Sequence, residues 1–331
     1  VTHKTVLVTD HTWASTEVEA EILAKVGAKI VDAPTGDEAE LLSLVPEAAG
    51  ILTCFAKVPA SVIRAGRRLQ VIGRYGVGVD NINVEEASRL GILVTNVPTY
   101  CVDEVSDHAM ALLLACARKV CAYDAAIHTG NWSLQVGAPM YRLRGRTLGL
   151  LGLGKIGLSM AGKGRAFGLR VIAHDPYANA AQVQSHGVEL VDLDTLFAQA
   201  DYLSLHAPLT PETRGIVNEG RLRRMKRTAI IVNAARGPII DQAALITALR
   251  EGWIAGAGLD VFEQENLPAD HPLWRAPNLI ATPHVAFYSE ESLVDLRTLA
   301  TLNVAAVLSD QRPAAIVNPT VLNLPRWAHL R

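Results

Sequence analysis

The chain has 331 residues, half of them hydrophobic and 19% charged, with a formal net charge of -2 and a sequence pI near 6.6. That length exceeds the roughly 250 to 300 residues at which a single hydrophobic core stops growing, so two domains are expected. The near-neutral charge removes any global electrostatic case for nucleic acid or an anionic membrane, and the longest apolar run, "AMALLLACA" at 109–117, is about half of the roughly 18 residues a membrane span requires, which leaves a small molecule as the expected partner.

From the start, short β-rich runs alternate with helical patterns. A strand at "TVLVT" is followed by a helix over 14–26, "AKIVDA" by one over 37–45, "GILTC" by one over 59–65, and "LQVIG" by one over 84–90, before the strand "GILVT". Such alternation predicts an α/β fold with parallel strands. The apolar stretch before Asp10 is too short for a secretory signal and reads as the first strand, so a cytoplasmic location is expected. The spacing then predicts one helix from about Val102 to His128, closed by Gly130. Cys54, Cys101, Cys116 and Cys121 are too few and too irregular for a disulfide framework or a zinc site and are expected as small buried hydrophobes.

A second alternation follows. It runs "TLGLLGLG", a helix to about Phe167, "LRVIAHD", "DYLSLHAP", "TAIIVNAARG", a helix over 241–251, "AGAGLDVF" and "NLIATPH". A last helix over 289–308 and the tail "AAIVNPTVLN" lie beyond it, and because that second unit lacks no strand, the tail is free to return to the first.

"LGLLGLGKIG" places Gly152, Gly154 and Gly157 in G-x-G-x-x-G spacing between an apolar strand and a helix that opens on Lys155 and Ile156. Those glycines would form a tight turn, let backbone approach a pyrophosphate and pack the helix closely, with phosphates at the helix N-terminus. Asp175 stands 18 positions after Gly157, near the distance at which an acid reaches the ribose hydroxyls and repels a 2′-phosphate. NAD is therefore expected over NADP, with Arg165 and Arg170 close enough in sequence to soften the preference; the plain alternative is that "HDPY" is only an Asp-Pro turn.

Hydride chemistry on a hydroxyl needs a group to manage its proton, and a carboxylate substrate needs a bidentate anchor. Arg236 follows the strand "TAIIV", Asp260 follows "AGAGL", Glu265 lies in the loop "EQEN", and His284 follows "NLIATP". Strand ends are where ligands of open α/β sheets gather, and a carboxylate beside an imidazole orients the ring and favours its protonated form.

At these residues the chain resembles the D-isomer-specific 2-hydroxyacid dehydrogenases over nearly its whole length. The motifs are "GVGVDNI" at 76–82, "NVP" at 96–98, "LGLLGLGKIG", "HDPY", "HAPLTPET" at 206–213, "MKRTAIIVNAARGPIID" at 225–241, "GLDVFEQE" at 258–265 and "TPH". The mid-chain glycine loop sets it apart from L-specific lactate and malate dehydrogenases, and Glu265 from the formate-oxidising branch, which has Gln there. The resemblance implies two doubly wound parallel-sheet domains, a Rossmann NAD domain (101–288) inserted in a flavodoxin-like substrate domain (1–100 plus 289–331), with hinge closure and a homodimer built through the NAD domain. It implies His284 as acid/base paired with Glu265, and Arg236 as substrate anchor. Val77 and Gly78 would offer N–H groups to the carboxylate, and Arg74 and Tyr288 would belong to the substrate pocket. Asp260 would hold the nicotinamide carboxamide, and His206, Ala207, Pro208, Thr213, Ala234 and Ala235 would line the NAD site.

Two departures matter: Asn266 stands where Pro commonly follows the catalytic Glu, and "VAFYSEES" replaces a glycine-rich continuation after the His. The second, like Arg74 in "GRYGVGVDN", resembles the C-terminal binding protein branch, beside a likeness to phosphoglycerate dehydrogenases. This keeps open an alternative, an NAD-sensing corepressor-like binding protein with incidental turnover. The cluster "RLRRMKR" at 221–227 precedes a strand without interleaved aromatics and reads as a solvated helix face. Substrate candidates are glyoxylate, hydroxypyruvate and 3-phosphoglycerate.

Overall fold

The alternation of strands and helices builds two parallel sheets, as the sequence predicts. The computed structural model describes residues 4–331, which divide into one unit made of the residues up to Tyr100 together with Ser289–Arg331, and another made of Cys101–Tyr288.

In the first unit, β1 (Lys4–Val8), β2 (Ala28–Asp32), β3 (Ala48–Thr53), β4 (Val71–Arg74) and β5 (Leu93–Thr95) lie in the order β2-β1-β3-β4-β5, all parallel. Central β3 is buried along its whole length, as a strand covered on both faces must be. Helices α1 (Glu17–Ala24), α2 (Glu38–Leu44), α3 (Ala60–Ala65) and α4 (Val84–Arg89) make the crossovers, with Asp37 and Asn83 capping α2 and α4. The long helix Glu290–Leu308 starts in a capping box at Ser289 and Ser292 and packs against β3 and β4. Gly50 and Gly73 make that packing close, since Val304 fills the space a side chain would need at either. The tail runs along β5: Val317 N–H donates to Val94 O at 2.8 Å and Trp327 Nε1–H to Gly91 O at 2.8 Å.

In the second unit, β6 (Thr147–Leu151), β7 (Arg170–His174), β8 (Glu189–Leu190), β9 (Tyr202–Leu205), β10 (Ile230–Asn233), β11 (Gly256–Leu259) and β12 (Leu279–Ala281) lie in the order β12-β11-β10-β9-β6-β7-β8. Helices α5 (Val102–Arg118), α6 (Val120–His128), α7 (Lys155–Ala166), α8 (Ala180–Ser185), α9 (Leu193–Gln199), α10 (Glu219–Arg224) and α11 (Gln242–Glu251) cover it. The single helix expected over 102–128 is two. Lys119 takes the left-handed conformation (φ 54°) and its Nζ donates to Asn278 Oδ1, because α5 is held to the sheet by buried Val105, Ala109, Leu112, Leu113 and Cys116 while α6 buries none of its residues and leaves the sheet. Cys121, on α6, is accordingly exposed, against the burial expected of it; the other three cysteines are buried and all four are free. The segment between Asp175 and Asp201, read from sequence without elements, holds α8, β8 and α9.

Candidate active site

Register places the site. Leu151 pairs with His174 and with Leu205, Leu205 with Asn233, Asn233 with Leu259, and Leu259 with Ala281. The next residue on each strand therefore stands on one carboxyl edge: Gly152, Asp175, His206, Ala234, Asp260 and Thr282. The chain leaves β6 for β7 on one side and reaches β9 on the other, so the topological switch point, where open α/β sheets bind ligands, falls between Gly152 and His206.

At that point Gly152 has φ 94°, and a side chain on it would meet the Ala207 nitrogen at 2.7 Å, so only glycine fits. Gly157 packs against the Gly152 carbonyl, drawing α7 onto the turn, whereas the space around Gly154 is open. Gly154 caps α7 without a side-chain hydrogen bond, which leaves the first N–H groups, from Lys155 onward, available to an anion. These residues fit a dinucleotide's pyrophosphate.

Asp175 is held in place by the loop: its Oδ2 accepts from Leu153 N–H and its Oδ1 from Tyr177 N–H, both at 2.8 Å. Arg165 and Arg170 are engaged elsewhere, the first with His186 O and the second with Glu189 and Gln199. His206 bonds Ser204 Oγ through Nε2 at 2.9 Å. Although the residue keeps some accessible surface, burial of the ring pushes its pKa down to about 4, so the imidazole is neutral near pH 7. Ala207 is buried, Pro208 exposed, and Thr213 Oγ1 donates to Pro208 O at 2.6 Å, bracing the loop after β9.

Beyond β10, Asn233 shapes the turn that carries Arg236: its Oδ1 accepts from Ala235 N–H and its Nδ2 donates to Arg236 O. Arg236 Nη1 donates to Ala235 O at 2.8 Å. Gly237 then lies against the Phe262 carbonyl and Glu263 nitrogen, which fixes the Arg236 turn beside the loop after β11.

Beyond β11 and β12, His284 Nδ1 stands 3.0 Å from Glu265 Oε1, and Phe287 meets the imidazole edge-on. His284 itself has φ 54°, a left-handed conformation that costs about 1–2 kcal/mol for a residue with a side chain. Asp260 holds it there. The His284 N–H donates to Asp260 O at 2.8 Å, while the fully buried Asp260 carboxylate accepts from Thr282 Oγ1 (2.6 Å), Val285 N–H and Ala286 N–H (both 2.9 Å). His108, on α5, places Nε2 2.9 Å from Thr282 Oγ1. Sequence reasoning picked out Arg236, Asp260, Glu265 and His284 but missed Asn233, Gly237, Thr282 and His108 as site residues; the first three sit in turn signals, "VN", "GP" and "TP", that mark a loop without giving its role, and His108 has no local signal.

In the first unit, Arg74 closes β4 and is buried, its guanidinium bonded to Tyr75 O and lying over Gly76. Val77 is exposed, Gly78 partly so, and Asn96 Nδ2 holds Val77 O at 2.7 Å. Tyr288, at the end of the second unit, is half exposed.

Comparison with known proteins supplies a family. Residues 110–286 match the model described as the D-isomer specific 2-hydroxyacid dehydrogenase NAD binding domain. A glyoxylate reductase from Korarchaeum cryptofilum is 42% identical over 270 residues, 81% of either chain. A D-3-phosphoglycerate dehydrogenase from Synechocystis is 40% identical over 93% of this chain, but that alignment spans 53% of the relative. The crystal structure of an NADPH-dependent glyoxylate/hydroxypyruvate reductase from Sinorhizobium meliloti, in complex with NADP and malonate, superposes with a TM-score of 0.85 at 31% identity, covering 96% of this chain and 98% of that one.

Proposed function

The chain belongs to the D-isomer-specific 2-hydroxyacid dehydrogenase family and is an oxidoreductase acting on CH–OH groups; from that premise we propose that it uses NADH to reduce a small 2-oxo acid of the glyoxylate or hydroxypyruvate class. The observation that carries the reading is the meeting of His284 with Glu265 at one carboxyl edge of the sheet that also bears Arg236 and the glycine turn. Nicotinamide, when bound, supplies the hydride to C2. Arg236 binds the carboxylate and the 2-oxo oxygen through its planar fork. With Nδ1 turned to Glu265, His284 hands the proton from Nε2 to the 2-oxo oxygen, and takes it back in the oxidation direction. Asp260 serves this step by holding the turn on which His284 sits, and its carboxylate is assigned to the carboxamide of nicotinamide as well. Arg74, Val77 and Gly78 are assigned to substrate recognition from the five-stranded unit, and Tyr288 from its own.

Asp175 supports NAD over NADP, since its carboxylate is fixed beside the glycine turn and both nearby arginines are bound elsewhere. Glyoxylate-type substrates are favoured over 3-phosphoglycerate because the glyoxylate reductase relative is 42% identical, against 40% for the phosphoglycerate enzyme, and the glyoxylate/hydroxypyruvate reductase structure superposes with a TM-score of 0.85. The second copy of a homodimer is assigned to α6 and the segment after it, where Val120, Ile127, Trp132 and Leu134 are exposed, Trp132 to 90%. The test is NADH oxidation by purified protein across glyoxylate, hydroxypyruvate, pyruvate and a phosphorylated 2-oxo acid, with NADPH in parallel. Fast NADH-dependent turnover of a small acid supports the reading. Tight NADH binding without turnover of any acid refutes it and favours the NAD-sensing alternative.

A further inference from the structure

Asp260, which holds the turn carrying His284, is linked through Thr282 to a side chain of α5, His108. Leu112 of α5 lies so close to β11 that a Cβ on Gly258 would meet its Cβ at 2.9 Å. One helical turn back from Leu112 is His108, and two residues on from Gly258, just past the end of β11 and toward the same face, is Asp260. A helical turn rises about 5.4 Å and two strand residues span about 6.6 Å, so the contact at Gly258 sets His108 level with the carboxyl edge.

Counting hydrogens gives the direction of the chain. Thr282 has one hydroxyl hydrogen, and at 2.6 Å it goes to Asp260 Oδ1. Its oxygen is then the acceptor toward His108 Nε2 at 2.9 Å, which requires the hydrogen of the imidazole to be on Nε2. Direct contact is weaker, because His108 Nε2 is 3.6 Å from Asp260 Oδ1. Without the imidazole, the Thr282 oxygen loses the partner that fixes its rotor, so its hydrogen bond to the buried Asp260 carboxylate is held less firmly and the two N–H groups that follow His284 are the fixed donors that carboxylate retains.

We infer that His108 is a positioning residue for the reaction: through Thr282 it fixes the Asp260 carboxylate, and through Asp260 the left-handed turn that aims His284. The inference rests on the dehydrogenase reading for its kinetic consequence but not for its structural one.

The test is a double-mutant cycle of His108→Leu and Thr282→Val with His108→Gln, whose amide nitrogen reaches about where Nε2 stands. His108→Leu should lower kcat about 10- to 100-fold, the range for misplacing a catalytic group by about an ångström, with KM for the 2-oxo acid changed about threefold or less. His108→Gln should recover most of the loss. The double variant should be no worse than Thr282→Val alone, because the two side chains act in series. Independently of turnover, nitrogen NMR of the imidazole should show the hydrogen of His108 on Nε2 near pH 8. Wild-type-like kcat in His108→Leu, additive losses in the double variant, or hydrogen on Nδ1 would each overturn the inference. A wild-type protein inactive on every acid would refute the dehydrogenase reading instead, and the NMR arm would still decide the positioning.

Discussion

Gly237→Ala should disable the site without touching any reacting group. Gly237 has ordinary backbone angles, so the requirement for glycine is one of space. A Cβ there would be driven into the Phe262 carbonyl and lie 2.6 Å from the Glu263 nitrogen, both of them backbone. Ordinary contact starts at 3.4 Å, and the Phe262 carbonyl is nearer still than the Glu263 nitrogen, so the Arg236 turn and the loop leading to Glu265 must part by well over about 1 Å. These two segments carry the proposed anchor and the partner of His284. A displacement of that size predicts a loss in kcat/KM of about 10- to 100-fold, and crowding of this kind costs about 1–3 kcal/mol of stability. Steady-state kinetics and thermal unfolding read both, with Gly162→Ala as control: nothing lies within 4 Å of a Cβ at Gly162, inside α7, and alanine there should stabilise by about 1 kcal/mol. Retention of kcat/KM within about threefold in Gly237→Ala would refute the claim that this close approach sets the geometry.

Glu19 is fully buried on α1 and bonded by both Nε and Nη2 of Arg297, so Glu19→Ala strands a guanidinium and should cost about 3–5 kcal/mol in denaturant unfolding, whereas Glu47→Ala, at an exposed pair with Arg68, should cost under about 1 kcal/mol. His206, with its pKa pushed below the unfolded value of about 6.5 to about 4, contributes stability that is complete above pH 6.5 and declines as pH falls toward 4. Over that window it accounts for about 3 kcal/mol, and His206→Asn should flatten the acid-side slope of urea unfolding by about that much; an unchanged slope would contradict the assignment. Asp175→Ala should raise the ratio of NADPH to NADH kcat/KM at least about tenfold, because it removes the carboxylate that repels a 2′-phosphate. No change in that ratio would mean the carboxylate serves only to brace Leu153 and Tyr177.

Strands were legible because parallel ones buried on both faces read as apolar runs between turns, and strand ends in turn located Arg236, Asp260 and His284. What was not legible depends on neighbours distant in the chain. Lys119 breaks the long helix because α5 is tied to the sheet and α6 is not, which no periodicity in 102–128 announces. Glu19 reads as a surface acid until Arg297 is brought to it from 278 residues away, and His108 is one polar residue at the edge of an apolar run until Thr282 arrives from β12. The role of Asp260 as a clamp on the His284 turn is likewise invisible in sequence, since it rests on backbone N–H groups that any residues would offer.

The central claim, that His284 carries the proton during hydride transfer, is tested most directly by measuring kcat and NADH affinity together in wild type and His284→Ala. The account predicts a fall in kcat of about 100- to 10,000-fold, the range for general acid/base groups, with the NADH dissociation constant held within about threefold. Turnover surviving nearly intact in the variant, with NADH still bound, would contradict it.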